Sequence, residues 1–248
     1  MAEPDVERLM AEIAERWGTE LERALRRLGR RLIREVAENP ALLDDLEYWN
    51  ALAHELQGDL LTRAYEIMWA GAVAGEAAMG FAVDWAMTNQ AVLDFTKEYG
   101  FHLLYLSGDY SIMGTTREQM REIFLRWQRG ELGAQGMPDL VRALEPLFGP
   151  ERAQRIATTE TTRLYAQGNL TAWQISGRIT HKIWHTARDE LVCPICQPLD
   201  GVVVDLDRAF AARPIGAATP LGILAPPAHV NCRCWLMPWS GPVEEIES

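Results

Sequence analysis

The stretch at 189–201, "DELVCPICQPLDG", holds two of the four cysteines of this 248-residue chain, and "HVNCRC" at 229–234 holds the other two. Two cysteines separated by two residues let both thiolates face one ion, because the intervening pair turns the backbone. The second cluster adds donors: His229 and Cys232 repeat that spacing, and Cys234 follows two residues later. On an extended backbone Cys232 and Cys234 point to opposite faces, so both reach one centre only if the chain turns at Arg233. Five donors therefore compete for four tetrahedral places. Cys193, Cys196 and Cys232 are the first three, with His229 and Cys234 contending for the fourth. The alternatives are a disulfide, or buried thiols beside a surface histidine. Neither accounts for four cysteines drawn into two tight clusters.

A structural zinc also meets an energetic need. The piece from 178 to 240 has few large apolar side chains and a long stretch rich in Pro and Gly, which by size alone makes a marginal core. Zinc bound by thiolates contributes about 10–16 kcal/mol, more than a small strand pair offers. A catalytic metal is less well matched. None of the five histidines is followed two residues later by glutamate, and Val192 rather than proline precedes Cys193, so the deaminase pattern fails. "HELQG" at 54–58 ends in glycine where a zincin needs its second histidine. His181 and His185 could line a site near the zinc, but at even spacing on a strand they read first as one polar face. Glu160 in "TTET" reads as a surface turn of helix before an active-site acid.

Outward from the cysteines, proline divides the chain. Positions 5–135 contain only Pro40, whereas eight of thirteen prolines lie from Pro194 onward, so helix gives way to loops and short strands near residue 177. Val6, Leu9, Ile13, Trp17, Leu21, Leu25, Leu28, Leu32 and Val36 form an apolar stripe that predicts one helix from about Pro4 to Asn39. Further helices are predicted over 41–57, 59–88 and 89–99. Thr115 with Glu118 suggests a capping box opening another that reaches Gly130. A short helix in "PDLVRALEPLF" follows, and a last one starts at Pro150 and is closed by Gly177. "RITHKIWHTA", "GVVVDL" and "CRCWLMP" read as strands, and Asp205–Ala228 as one long loop. The apolar run at 67–83 carries Glu76, so it is a core helix with small residues for close packing rather than a bilayer span. An acidic start without an apolar segment argues against a secretory signal. In a reducing compartment paired cysteines favour metal over disulfide.

Charge is uneven. The net charge is −11, yet residues 178–240 hold six basic and five acidic side chains, and the tail "GPVEEIES" is acidic. A net acidic chain is a poor general coat for DNA. Arg23, Arg26, Arg27, Arg30, Arg31 and Arg34 are the local exception, sharing one side of the first helix. They read as a solvated face pairing with Asp44, Asp45 and Glu47, or as a contact for nucleic acid or an acidic partner protein.

The ordered set "RIATTETTRLYAQGNLTAWQISG", "KIWHTARDELVCPICQPLDGVVV" and "PPAHVNCRC" closed by "LMP" resembles the phage Mu protein F-like head morphogenesis family of minor capsid proteins. The resemblance is dense over about 150–238 and extends upstream through "FAVDWAMTNQAVLDF" and "TTREQMREIF". Val230 stands where the family usually has proline, which keeps the ligand spacing and loosens the turn. The resemblance implies a low-copy head component of tailed phages and prophages acting near the portal and packaged DNA. It implies portal protein and capsid or scaffold subunits as partners, and no reaction.

The expectation is an α+β protein: a helical body over 1–177, a zinc-stabilised β-rich module over 178–240 and an acidic tail over 241–248. It is expected in the virion, at the head interior or portal vertex, and in the bacterial host cytoplasm during assembly, with no membrane contact and no enzymatic activity. The competing readings are a zinc-bearing enzyme, such as a nuclease or toxin-like effector, and a nucleic-acid adaptor working through the arginine face.

Overall fold

The computed structural model describes residues 3–105, 111–134, 136–213 and 221–241. Among the described residues six α-helices precede five short strands: α1 (Glu3–Glu38), α2 (Leu46–Met79), α3 (Trp85–Leu104), α4 (Ile112–Gln128), α5 (Met137–Leu144), α6 (Pro150–Ser176), β1 (His181–His185), β2 (Val203–Asp205), β3 (Phe210–Ala212), β4 (Leu221–Ile223) and β5 (Trp235–Trp239). The fold is α+β, and the change from helix to strand falls at Gly177, whose φ of +62° ends α6. Compactness divides the chain differently. One unit gathers residues 1–14, 64–94 and 158–248, the other 15–63 and 95–157. The acidic tail from Pro242 onward and residues 214–220 of the expected long loop lie outside the described residues. No helix among the described residues is long and apolar enough to cross a membrane.

Helix ends follow their capping chemistry rather than the boundaries expected from periodicity alone. α2 runs straight through Gly58, which meets nothing nearby and so costs only its intrinsic propensity, about 1 kcal/mol. The break comes instead at Gly80, with φ +75°, and Asp84 opens α3 by accepting from the backbone N–H groups of Ala86 and Met87. Ser111, not the Thr115–Glu118 pair, caps α4, its hydroxyl accepting from Gly114 N at 2.9 Å. Thr115 lies inside that helix and bonds back to Ser111 O.

In the first unit the small-residue run becomes the C-terminal half of α2, and it lies against α6 with backbones in close approach. A Cβ on Gly168 would collide with the Met68 carbonyl oxygen, and one on Gly71 with the Tyr165 carbonyl. The Trp173 indole then donates to Gly75 O at 3.1 Å. Against these helices packs the antiparallel sheet β2-β1-β5. Its register pairs Ile183 with Val203 on one side and with Met237 on the other. One cluster of buried side chains joins Ala72, Leu170 and Trp173 of the helices to Trp184, Leu206, Phe210 and Leu236 of the strand region. The C-terminal piece is therefore no separate minicore.

The long loop expected over Asp205–Ala228 is interrupted by a two-stranded ladder, β3 with β4, pairing Phe210 with Ile223. Phe210 is fully buried and meets Trp184 edge-on at 5.1 Å between centroids, so tertiary burial overrides the loop-forming composition. Lys182 is also fully buried on this side of β1. Its ammonium donates to Leu206 O at 2.6 Å and sits 5.5 Å from the Phe210 ring centroid, and burial pushes its pKa down to about 8.

The second unit buries the middle of the predicted α1 stripe, Leu25, Leu28, Leu32 and Val36, together with Trp49, Leu52, Met120, Phe124 and Leu144. Buried Arg152 stitches it together, donating to the Leu147 and Ile112 carbonyls and to the Thr115 and Thr116 hydroxyls at 2.8–3.2 Å. Burial lowers the pKa of this guanidinium to about 10.

Gly168→Ala should cost about 1–3 kcal/mol, because the obstacle is the backbone of α2 rather than a side chain that can move aside. Urea unfolding monitored by circular dichroism reads this as a lower midpoint; an unchanged midpoint would mean that the helices do not approach so closely.

Candidate metal centre

The first cysteine turn is built by its own backbone. The N–H groups of Cys196 and Gln197 bond to Cys193 O at 3.1 and 3.0 Å, and the Cys196 N–H also donates to the Cys193 sulfur at 3.3 Å. A short 3-10 turn, Gln197–Leu199, follows. Gly201, with φ +80°, then returns the chain so that its N–H reaches Trp184 O at 2.8 Å. Asp200 holds the other flank, accepting from Thr186 N and from the Arg188 guanidinium.

The second turn is fastened to α6. The Thr162 hydroxyl donates to Cys232 O at 2.7 Å, and the Asn231 N–H donates to the Thr159 hydroxyl at 2.8 Å. Asn231 has φ +65°, a left-handed conformation that asparagine tolerates better than most residues. Thr159 and Thr162 are one helical turn apart, so their hydroxyls share a face of α6. Glu160 is accordingly not on a surface turn: it is buried, and its carboxylate accepts from Arg163 at 3.3 Å. Outside the turn, Arg233 grips Asp189 with two contacts of 2.8 Å, tying the second cluster to the segment leading into the first. That pairing lowers the Asp189 pKa.

All five expected donors come together. The ligand atoms of Cys193, Cys196 and His229 lie within 4.8 Å of one another, as do those of Cys196, Cys232 and Cys234. Cys196 belongs to both groups. Strand β5 begins only at Trp235, and the Cys232 and Cys234 sulfurs lie in one group with that of Cys196. The Cys196 and Cys232 sulfurs are 3.8 Å apart, the separation expected of two thiolates about 2.3 Å from one tetrahedral ion. His229 Nδ1 lies 2.8 Å from Val230 O, which points Nε2 toward the Cys193 and Cys196 sulfurs at 2.9 and 3.2 Å. These are hydrogen-bond distances, shorter than the roughly 3.6 Å between nitrogen and sulfur ligands of one zinc.

Electrostatics separates the thiols. Hydrogen bonds from Cys196 and Cys234 push the Cys232 pKa down, while the contact with Cys232 pushes Cys196 up. Contact with Cys232, reinforced by burial, raises Cys234 against the opposing effect of Cys196. The hydrogen bond to Cys232 raises His229 to about 9. Ionising several neighbouring buried sulfurs is costly without a cation among them. The indole N–H of buried Trp184 meets no hydrogen-bond criterion with the described residues. The grouped sulfur and imidazole donors, with the Cys196 N–H donating to the Cys193 sulfur, fit a structural zinc.

The other candidates lie elsewhere. His181 pairs with Asp205 at 3.0 Å, and His185 is buried and stacked on Trp235, so the expected polar face is neither open nor among the grouped donors. Of the α1 arginines, Arg26 pairs with Glu22 and Arg31 with Glu35 and Glu55. Asp44, expected to serve that face, binds Arg121 of α4 instead. Thr159 and Thr162 went unread as site residues, although their spacing was the available signal.

Residues 128–237 match the family described as Phage Mu protein F like protein. Over this segment the chain is similar to that family. The Mu F-like segment runs from the end of α4 through β5 and contains both cysteine turns and the two docking threonines; the stretches at 81–95 and 115–124 that extended the resemblance upstream are not part of it. No curated protein and no solved structure shows a significant match to the chain.

Because Cys196 lies in both donor groups, Cys196→Ser should abolish stoichiometric zinc in the purified protein, measured by plasma mass spectrometry. Cys193→Ser and Cys234→Ser each leave one complete group and should retain more metal. Equal retention by all three variants would contradict the shared position. Thr162→Val, which leaves the Cys232 carbonyl without its partner, should lower stability by about 1–3 kcal/mol in chemical denaturation.

Proposed function

We propose that this protein is a minor head component of a tailed phage or prophage, acting in head morphogenesis close to the portal and the packaged DNA. The observation that carries this reading is the family match, which covers the whole cysteine-bearing region together with the helix that anchors it. Portal protein and capsid or scaffold subunits are the partners, and the assembled virion is where it resides. A zinc ion held by four of Cys193, Cys196, His229, Cys232 and Cys234 keeps the two turns locked on α6. Its role is structural, because these donors leave no position for substrate once four are engaged.

The chain acts as an adaptor rather than an enzyme. His181, His185 and Glu160 are tied into ion-pair, stacking or hydrogen-bond contacts that hold the fold. The zinc-bearing nuclease or effector remains the competing reading, and it requires one of these side chains to turn over a substrate.

Deleting the gene from the phage or prophage that carries it should stop the production of infectious particles, and complementation with a Cys196→Ser variant should fail. Complementation with His181→Ala should succeed, as counted by plaque yield. Full infectivity without the protein would remove the head assignment; loss with His181→Ala in a normally folded, zinc-loaded protein would favour the enzyme.

A further inference from the structure

Within the second unit, α1 from Arg26 to Glu38 forms one wall of an open groove of about 1020 Å³. The other wall is α5, the 3-10 turn Glu145–Phe148 that follows, and the start of α6. The wall along α1 is about 18 Å long, a little over three helical turns. The groove is larger than most sites for small molecules.

Its chemistry is layered. Ile33, Ala37, Met137, Val141 and Phe148 give an apolar lining, and Met137 is 41 % exposed. Arg26, Arg30 and Arg34 recur every four residues and so line up along one rim, and Arg30 and Arg34 make no ion pair with a described residue. Glu145 and Glu151 stand on the opposite wall. Duplex DNA would gain nothing from the apolar lining and would be repelled by the facing carboxylates.

We propose that this groove receives an amphipathic helix of a partner protein, apolar along the seam it buries, acidic along the flank beside α1 and basic along the flank beside Glu145 and Glu151. An apolar trough fits anchors at i, i+3, i+4 and i+7, and rims of opposite charge set which way round the helix lies. The proposal concerns the second unit and stands apart from the metal centre and from the head assignment.

The test uses the full chain and a labelled synthetic helix of about 18 residues with a leucine seam, glutamate along one flank and lysine along the other. Fluorescence anisotropy should show saturable binding that weakens about tenfold or more in Met137→Gln/Val141→Gln and in Arg30→Glu/Arg34→Glu. A second peptide with lysine on both flanks should bind the wild-type chain poorly and recover affinity for Arg30→Glu/Arg34→Glu. Circular dichroism of each variant separates loss of binding from loss of fold, and a substitution at Met137 alone supplies a folded variant if the double one unfolds. No binding, or binding indifferent to both variants, overturns the proposal. So does steeply salt-dependent binding of duplex DNA that needs the arginines but not Met137 and Val141. Self-association in sedimentation that the Met137→Gln/Val141→Gln variant abolishes would put a second copy in the groove and equally overturn it.

Discussion

The first unit depends on bringing two cysteine turns, separated by more than thirty residues of chain, into contact beside α6, which holds the second of them. Cys196, Cys232 and Cys234 are all buried there, and buried sulfurs in mutual contact resist carrying more than one negative charge unless a cation sits among them. The same contact that makes the cluster costly as bare thiolates gives it donors suited to a soft divalent ion. Thr159 and Thr162 set where the second turn stands, and the backbone of the first turn sets the angle of the Cys193 sulfur.

That arrangement changes the meaning of a small C-terminal module. Taken alone, residues 178–240 have too little apolar surface for a stable core. The buried cluster shows another contribution, because Trp173, Leu170 and Ala72 join Trp184, Phe210 and Leu236 in one core. The Cys/His cluster then sits on a piece that already has a hydrophobic partner. The close approach of α2 and α6 at Gly71, Gly75 and Gly168 gives those partner helices their rigid spacing.

Much of this was legible from residue types. The stripe from Val6 to Val36 marks α1, Pro150 and Gly177 bound α6, and the spacing marks the five side chains whose ligand atoms are grouped. Where reading failed, a local signal was weighed wrongly or a distant one was absent. Gly58 looked like a break and was none, since one exposed glycine costs less than a helix loses by stopping. Gly80 followed by Asp84 was the stronger punctuation. Nothing local announces β3, because Phe210 sits among loop formers and is held by Trp184, twenty-six positions earlier in the sequence. The arginines of α1 were visible as a row, but their acidic partners were not: Arg31 chose Glu55, and Asp44 chose Arg121.

By itself the sequence determined the helical periods, the end of helix at Gly177 and the identity of the sulfur and imidazole donors, because these follow from side-chain chemistry and from the geometry of a few consecutive residues. Tertiary structure alone decided that Thr159 and Thr162 hold the second turn, that Lys182 is buried beneath Phe210, and that Cys196 is shared between both donor groups. Each of those contacts joins positions far apart along the chain, and which distant groups meet is set by how helices and strands pack to exclude water, a balance that no short stretch of residues encodes.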